Sequence, residues 1–440
     1  MKKVIVYCFA LLLMTLVGCQ KETLHLEETE IAKETEITQK GGASNTADTR
    51  GNELVILYED GTTEAEKVLK RAEHNVESYK KCECADPNLE LWIFSKGEVS
   101  GDGGLEEKKH VIRSGGGVEG ADYNPNIKIQ DDVFIDFGGF GSTEDALLKR
   151  VSANQGVTVA ILDTGVMYDY PGFSSPFLYN SGQDACSNNG YDDMFGWNFV
   201  DEDNNPYDNH TGRHGTIVSS LIASKFENAN IDYQILPVKV ASRTGNIRYF
   251  DGLCGFQYAA KKPGVNIINM SFGWYNHERE LLEKFILDAE DILVITSAGN
   301  DGINNDTTPH YPSSYDSDNI LAIAALGARN SQGSNTNANI GGSFVDLYGS
   351  ATSNTPLASF SNRGLYSVDI AAPGEHIPFS YNHQTLYING TSYSAALASG
   401  YSGTLYQSGM SGAALRTSVI TNSVYDPDLS EIQYAKHIPE

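Results

Sequence analysis

The chain has 440 residues and a formal net charge of -26 at pH 7. A chain of this length can bury a large core, and one large domain with a smaller one is the natural expectation. So strong a negative charge disfavours a nucleic-acid partner, because phosphate contacts need a cationic surface. We therefore expect no nucleic acid among the partners and attribute the acidity to solubility.

The N-terminus has the pattern of an export signal. Lys2-Lys3 precedes an apolar run, Val4 to Val17, that is too short to span a membrane comfortably. The run ends in Leu16-Val17-Gly18-Cys19, which resembles the bacterial lipobox, a motif that is cut just before its cysteine. The resemblance implies a lipoprotein signal peptide over residues 1–18. It also implies a lipid on Cys19 that anchors the exported protein to a bacterial membrane, which is the outer membrane or cell surface in a Gram-negative organism. An ordinary secretory signal is the alternative, and it predicts export as well.

Residues 19–50 are predicted to be a disordered acidic tether. Six glutamates lie between Glu22 and Glu36. The stretch lacks the apolar periodicity that would bury one face of a helix or strand, so we expect it to be solvated.

A small α+β domain is predicted over residues 51–130. Leu54–Tyr58 and Leu89–Phe94 are apolar enough for strands, and Thr63–His74 has apolar residues at helical spacing. This β-α-β pattern is too short to form the main body of the protein. Residues 131–155 are treated as a connecting segment.

From Gly156 onward, apolar strands alternate with helices such as Phe250–Lys261 and Glu278–Asp288. The strands are continuous apolar runs, typical of a parallel sheet covered on both faces: Val157–Leu162, Ile235–Val240, Ile267–Met270, Ile292–Ile295 and Ile320–Ile323. The pattern predicts a doubly wound α/β domain over residues 156–426, with a C-terminal tail at 427–440. In this fold class, functional side chains gather at the carboxyl ends of the strands.

Four cysteines follow Cys19 in the chain: Cys82, Cys84, Cys186 and Cys254. Export permits disulfides. The C-x-C pair lies on a predicted strand, where both side chains would face the same side and a bridge between them would be strained. The pairing is left open, with Cys186–Cys254 as a first guess.

Four polar residues occupy strand ends or helix starts in the predicted α/β domain. Asp163 and Asn300 each follow a strand, His214 opens a run typical of a buried helix, and Ser392 opens a helix of small residues. A serine hydroxyl is a weak nucleophile unless a base removes its proton. A catalytic Ser392 therefore requires a histidine, a carboxylate to orient it, and donors for the oxyanion.

Each of these residues has an alternative role when it is considered alone. Asp163 begins D-T-G, a motif shared with aspartic proteases, but that chemistry needs a second aspartate motif, which is absent from the sequence. His214 forms H-x-x-x-H with His210, yet the glutamate of the zinc-protease motif H-E-x-x-H is missing. Asn300 fits a turn. The four together favour a serine hydrolase, and the rival G-x-S-x-G motif does not occur.

In the chain order Asp, His, Ser, this set resembles the catalytic residues of the subtilisin-like serine proteases. The likeness covers about Gly156 to Asp426 and implies a mostly parallel, doubly wound sheet. It also implies an endopeptidase that hydrolyses polypeptide substrates through an acyl-enzyme. Further segments match family positions: Tyr191–Pro206, Leu236–Val240, Ser271–Gly273, Tyr311–Ser313, Phe360–Gly364 and Ala372–Gly374.

The resemblance also implies a role for each residue. Ser392 would attack the peptide carbonyl, His214 would take and return its proton, and Asp163 would orient the histidine. Asn300 and the backbone N–H of Ser392 would stabilise the oxyanion. The implied substrate-binding residues are the backbone-pairing Ser271, Phe272 and Gly273, and the pocket-bordering Ala298, Gly299 and His310.

Residues 51–130 resemble the N-terminal prodomain of secreted subtilases, which helps folding and plugs the active site. Val118–Asn126 is similar to the closing segment of such prodomains. The likeness implies a zymogen whose own prodomain is a partner, and a cut between about 125 and 156 would free the catalytic domain unless the two stay bound. A plain accessory domain is the alternative.

Four residues depart from the family pattern. Ala396 replaces a proline after the nucleophile, and Arg213 and Ile217 replace a glycine and a histidine beside His214. Trp274 replaces a glycine beside the pocket and would narrow it. No catalytic group is lost, so we expect an active enzyme. The alternative from another functional class is a catalytically silent surface lipoprotein that uses the fold for binding.

The implied mechanism requires no cofactor. Calcium is a candidate ligand of the segment Asp184–Asp208, because this segment is rich in Asp and Asn, whose oxygens suit that ion. EF-hand spacing is absent, so a solvated loop is the alternative.

Overall fold

Two β-sheets and the helices that cover them account for most of the described chain. The computed structural model describes residues 48–100, 104–129, 151–152, 156–173, 176–182, 186–188, 191–328, 357–381 and 384–439. These residues belong to one compact unit, Asn45–Glu440. Cys19 and the predicted signal peptide lie outside the described residues. Among the helices that are described, none is long and apolar enough to cross a membrane.

The N-terminal region forms an antiparallel sheet with two helices on one face. Its strands are β1 (Asp48–Tyr58), β2 (Ser78–Cys82), β3 (Asp86–Ile93) and β4 (Val118–Lys128), and its helices are α1 (Glu64–Glu73) and α2 (Gly104–Ser114). Helix α1 begins where predicted because Thr63 and Glu66 form a reciprocal capping box. The strand order ends with a short strand from later in the chain, β10 (Asn246–Arg248), beside β4.

The larger sheet has nine strands, and eight of them pair in parallel. The ninth joins an edge of the sheet antiparallel. The doubly wound α/β prediction is therefore confirmed. In spatial order the strands are β19 (Val424–Tyr425), β20 (Lys436–His437), β16 (Ile370–Pro373), β15 (Ile320–Leu326), β13 (Leu293–Ser297), β11 (Val265–Met270), β5 (Val157–Asp163), β9 (Tyr233–Lys239) and β8 (Trp197–Asn198).

Helices cover both faces of this sheet: α3 (His214–Ala229), α4 (Tyr249–Lys261), α5 (Glu280–Asp288), α6 (Thr391–Leu405) and α7 (Gly412–Asn422). Strand β5 explains the two layers, because its side chains alternate between two cores. Val159 and Ile161 pack into the core that contains α3 and α6. Ala160 and Leu162 pack into the core that contains α4 and α5. A strand buried on both faces reads as a continuous apolar run, as observed here.

Short antiparallel ribbons lie outside the two sheets. They are β6 (Ser187–Asn188) with β7 (Tyr191–Asp192), β12 (Trp274–Tyr275) with β14 (His310–Tyr311), and β17 (Ile377–Tyr381) with β18 (Gln384–Ile388).

The N-terminal sheet packs its second face on helices α4 and α5 of the larger region. Val55, Leu57, Leu89 and Leu91 belong to the same apolar core as those helices. Strand β4 also supplies the helix caps that the helices lack. The Asn124 side-chain oxygen accepts the Phe250 N–H at 2.9 Å, and the Asp122 carboxylate accepts the Leu281 N–H at 3.0 Å.

These two bonds satisfy backbone donors that the helices leave open. The residues at the N-cap positions of α4 and α5 are Arg248 and Arg279, and neither uses its side chain as a cap. Exposed N–H groups at a helix start need an acceptor. The N-terminal region therefore completes two helices of the larger region.

Two disulfides join the same two regions, Cys82–Cys254 and Cys84–Cys186, with Cα–Cα distances of 5.6 and 5.5 Å. The expected Cys186–Cys254 bridge is wrong. Cys254 lies buried in α4 and faces the N-terminal sheet. Cys84 has a φ of 61°, so the chain turns after β2 and the two C-x-C cysteines reach different partners.

Candidate active site

The predicted catalytic residues lie on elements whose ends meet at one edge of the larger sheet. Asp163 is the last residue of β5, and Asn300 follows the end of β13. His214 is the first residue of α3, and Ser392 is the second residue of α6. Helices α3 and α6 pack against each other, and the rings of His214 and Tyr393 are 5.6 Å apart. The carboxyl edge of a parallel sheet is where such a site is expected.

Asp163 and His214 form a buried pair. The Nδ1 atom of His214 lies 2.8 and 2.9 Å from the two carboxylate oxygens of Asp163. The side chains are 0% and 1% exposed. A carboxylate that accepts from Nδ1–H fixes the ring and its tautomer, and it leaves Nε2 as the atom that can take a proton.

The backbone of the histidine helix is fixed from both sides. A Cβ on Gly215 would lie 2.3 Å from the carbonyl oxygen of Gly165, so the start of α3 can pack this closely on the D-T-G turn only with glycine. Arg213, just before the helix, has a φ of 51°. The glycine usual at this family position suits such a left-handed backbone, and Arg213 adopts the same conformation.

Two buried charged residues behind the pair escaped prediction. Asp208 accepts hydrogen bonds from the Thr216 N–H and hydroxyl at 3.0 and 2.7 Å. Lys239 donates to the carbonyls of Thr164 and Ala241 at 2.5 and 3.1 Å. Burial raises the pKa of Asp208 and lowers the pKa of Lys239. A lysine in the otherwise apolar run of β9 was the available sequence signal.

Ser392 lies in the first turn of α6 and is 5% exposed. Its hydroxyl donates to the Ser271 carbonyl at 3.1 Å, and the Ser271 hydroxyl donates to the Ser392 carbonyl at 3.0 Å. These two bonds hold the nucleophile candidate against the residue that follows β11. Since a hydroxyl has one proton, transfer of that proton to His214 requires the bond to the Ser271 carbonyl to be exchanged.

Asn300 is oriented by the turn that precedes Ser392. Its side-chain oxygen accepts both the N–H and the hydroxyl of Thr391, at 2.9 and 2.7 Å. A Cβ on Gly390 would lie 3.7 Å from the Asn300 amide nitrogen. The oxygen is thus occupied by Thr391, and the NH₂ group beside the Gly390 turn is the donor that can serve an oxyanion.

The predicted substrate-binding residues follow two adjacent parallel strands. Ser271, Phe272 and Gly273 come after β11, and Ala298 and Gly299 come after β13. Strands β11 and β13 are neighbours in the sheet. The two segments therefore leave the same edge of the sheet side by side.

His310 packs on Gly273, and Asn362 and Tyr275 pack on Gly299. A Cβ on Gly273 would lie 2.3 Å from a carbon of the His310 ring, and a Cβ on Gly299 would lie 2.9 Å from the Tyr275 hydroxyl. The two rings are 4.9 Å apart. Burial lowers the pKa of His310 to about 4, so its imidazole is neutral at pH 7.

Trp274 does not narrow the pocket, contrary to our prediction. The β12–β14 ribbon pairs Trp274 with Tyr311, and Tyr275 with His310. Residues directly opposite each other share a face of such a ribbon. Trp274 packs on the other face, 5.7 Å from the Tyr249 ring, and donates to the His277 carbonyl at 2.7 Å.

Residues 127–129, at the end of the N-terminal region, lie close to the loop that contains His210 and precedes His214. Strand β4 pairs antiparallel with β10, with Ile127 opposite Ile247, and the Ile129 N–H donates to the Gly245 carbonyl at 2.9 Å. A Cβ on Gly245 would lie 3.2 Å from the His210 ring. This pairing was not predicted, because a three-residue strand gives little signal in a sequence.

No group of three or more His, Cys, Asp or Glu side chains is arranged to hold a metal ion within the part of the chain that is described. In the segment proposed for calcium, Asp193 pairs with Lys262 at 2.6 Å and accepts the Tyr258 hydroxyl at 2.6 Å. Asn198 donates to Asp201 and Asp203, each at 3.0 Å. These carboxylates already bind other groups of the chain.

Several known proteins are similar to this chain in sequence. A thermophilic serine proteinase of Bacillus sp. (strain AK1) is 28% identical over 64% of this chain and 60% of its own length. Halolysin of Haloferax mediterranei is 27% identical over 65% of this chain and 48% of its own length. An intracellular serine protease of Paenibacillus polymyxa is 30% identical over 51% of this chain and 58% of its own length. The chain thus spans between about half and three-fifths of the length of these relatives.

Among solved structures, a cold adapted subtilisin-like serine proteinase is similar, with a TM-score of 0.47 and 19% identity over 70% of this chain and 96% of that chain. A family model, described as the subtilase family, matches residues 154–434. This range contains eight of the nine strands of the larger sheet, helices α3 and α6, and all four candidate catalytic residues. The chain belongs to the subtilase family.

Proposed function

We propose that the protein is a serine endopeptidase that cleaves polypeptides through an acyl-enzyme. The observation that carries this proposal is the buried Asp163–His214 pair, which lies at the sheet edge where α6 presents Ser392. The oriented amide of Asn300 adds the donor that acyl transfer needs. Membership of the subtilase family supports the same reaction.

The mechanism follows from the chemistry of these groups. Nε2 of His214 takes the proton of Ser392 as its Oγ attacks the peptide carbonyl, and it later gives that proton to the leaving amine. Asp163 stabilises the imidazolium that forms between these steps. The amide NH₂ of Asn300 and the backbone N–H of Ser392, in the first turn of α6, donate to the oxyanion. Water then hydrolyses the acyl-enzyme through the same histidine. No cofactor takes part, and calcium at residues 184–208 would be structural.

The substrate would bind as an extended strand. The segment Ser271–Gly273 offers backbone groups for pairing, and such strand addition aligns a peptide without regard to most of its side chains. Ala298, Gly299 and His310 border the pocket for the residue before the scissile bond. Because the His310 ring packs directly on Gly273 and the Tyr275 hydroxyl lies beside Gly299, we expect small side chains to be preferred there.

We further propose that the protein is made as a zymogen, exported and lipid-anchored through Cys19. Strand β4 pairs with β10, close to the loop that precedes His214, and a prodomain that covers the active site would bind in this way. The same strand caps two helices of the predicted catalytic domain. A cut between about 125 and 156 would convert the zymogen. The two disulfides support export, because they persist in oxidising compartments.

The test of the enzyme proposal is labelling by a fluorophosphonate probe, which reacts with activated serines. We expect the wild-type protein to be labelled after processing and Ser392→Ala to remain unlabelled. Ser394→Ala is the matched control, since Ser394 lies in the same helix turn and donates to the Pro373 carbonyl instead. Absence of labelling in folded, processed wild-type protein would favour the catalytically silent binding protein.

A further inference from the structure

The arrangement of the disulfides has a consequence for any cut in the chain. We propose that the N-terminal region, residues 48–129, is a covalently retained subunit of the mature protein and not a released propeptide. The inference takes only the position of the cut from the proposed function.

Both disulfides connect residues on opposite sides of the proposed cut. The bridges Cys82–Cys254 and Cys84–Cys186 close loops that span 172 and 102 positions of the sequence. Residues 130–155 lie inside both loops. A cut anywhere in that segment therefore turns both bridges into links between two chains.

Burial makes one of these links hard to reach. Cys82 and Cys254 are 2% and 1% exposed and lie in the core between the N-terminal sheet and α4. Cys84 and Cys186 are only half-buried. Thiol exchange requires access to a sulfur atom. A reductant therefore reaches Cys84–Cys186 first, and loss of that bridge alone leaves the two chains joined.

Non-covalent contacts keep the joined region in place. The β4–β10 ladder, the caps from Asp122 and Asn124, and the shared apolar core all cross the boundary. A tethered partner rebinds at a high effective concentration, which is of millimolar order for short flexible links. After the cut, strand β4 therefore rebinds β10 of the same molecule whenever the two separate.

The experiment separates the link from self-processing. Full-length Ser392→Ala protein receives the recognition sequence of an added site-specific protease within residues 131–155, and that protease cuts it. Free thiols are blocked with iodoacetamide, and the sample is denatured in detergent. We expect one species of full-length mass without reductant and two species with dithiothreitol.

Variants supply the controls. Cys82→Ser combined with Cys84→Ser should give two species without reductant, whereas either single variant should still give one. Separation of the cut parent protein without reductant would overturn the proposal. The zymogen proposal is tested separately with wild-type protein, which lacks the inserted site. If that protein stays uncut in a reducing gel, the zymogen proposal is contradicted. Retention is still decided by the protein that carries the inserted site.

Discussion

At the residue scale, the Asn300 side-chain oxygen accepts from Thr391, and we propose that its NH₂ group donates to the oxyanion. We expect Asn300→Ala to lower kcat by about 10²–10³-fold with little change in KM, as known for a subtilisin oxyanion donor. Steady-state kinetics on a peptide substrate test this. Asn319→Ala, at a buried asparagine before β15, should reduce stability without this loss of kcat. A KM effect alone would contradict the assigned role.

We expect His310 to determine which side chain fits before the scissile bond, because its ring lies directly on Gly273. His310→Gly removes the ring, so we expect kcat/KM for phenylalanine relative to alanine at that position to rise about tenfold or more. A peptide series that differs only there measures the ratio. Trp274→Phe, on the opposite face of the ribbon, should leave it unchanged. An unaltered ratio in His310→Gly would show that another residue closes the pocket.

The same histidine predicts a pH dependence of stability. Burial lowers the pKa of His310 from its ordinary value of about 6.5 to about 4. Between these values the unfolded chain binds a proton that the folded chain does not, so the free energy of unfolding falls as the pH drops from 6.5 toward 4. The loss from this residue is roughly 3 kcal/mol.

Urea unfolding of Ser392→Ala protein at pH 7 and pH 4.5 measures that dependence without self-digestion. The further variant His310→Gln cannot take up the proton, so its stability should change less between the two pH values. Equal changes in the two proteins would refute the assignment to His310.

At the scale of elements, helices α4 and α5 depend on strand β4 for their caps. We expect Asn124→Ala to lower the free energy of unfolding by at least about 1 kcal/mol, because it removes the cap of α4 and also the 2.6 Å bond that the Asn124 amide donates to the Glu53 carboxylate. It should also speed amide exchange at the start of α4. Ser411→Ala removes the cap that α7 supplies for itself, so it should cost a similar amount without affecting α4. Unchanged exchange at Phe250 would contradict the cap.

The elements also show how far the sequence predicts the fold. The strands β5, β9, β11, β13 and β15 were predicted because each is a continuous apolar run that is long enough to be recognised. Helix α1 was predicted to within one residue at either end because the helical spacing of its apolar residues is a local signal. Strand β10 was missed because three residues carry no periodicity, and its partner β4 is more than a hundred positions away.

The candidate site, like the fold, has parts that the sequence predicts and parts that it does not. Asp163, His214, Asn300 and Ser392 could be proposed as catalytic from the sequence because each belongs to a short motif at a strand end or helix start. The disulfide partners and the packing of His310 on Gly273 were not found, since both depend on contacts between distant segments. The orientation of Trp274 depends on ribbon register, which its neighbours in sequence do not determine.

For the whole molecule, the disulfides predict where the catalytic region is found in cells. If Cys19 carries lipid, a C-terminal antibody should detect the processed catalytic chain in the membrane fraction. Dithiothreitol under denaturing conditions should separate that chain from its partner. Cys19→Ala should move both chains to the soluble exported fraction together. A processed catalytic chain that is soluble in wild-type cells without reductant would contradict this expectation.

The caps supplied by Asp122 and Asn124 bear on the order in which the molecule is made. Synthesis delivers the N-terminal end first, and regions of a chain generally fold as they emerge. Strand β4 can therefore be complete before the residues of α4 and α5 exist, and each of these helices begins to form against an acceptor that is already waiting. A chain that started at residue 156 would have to nucleate both helices without that template.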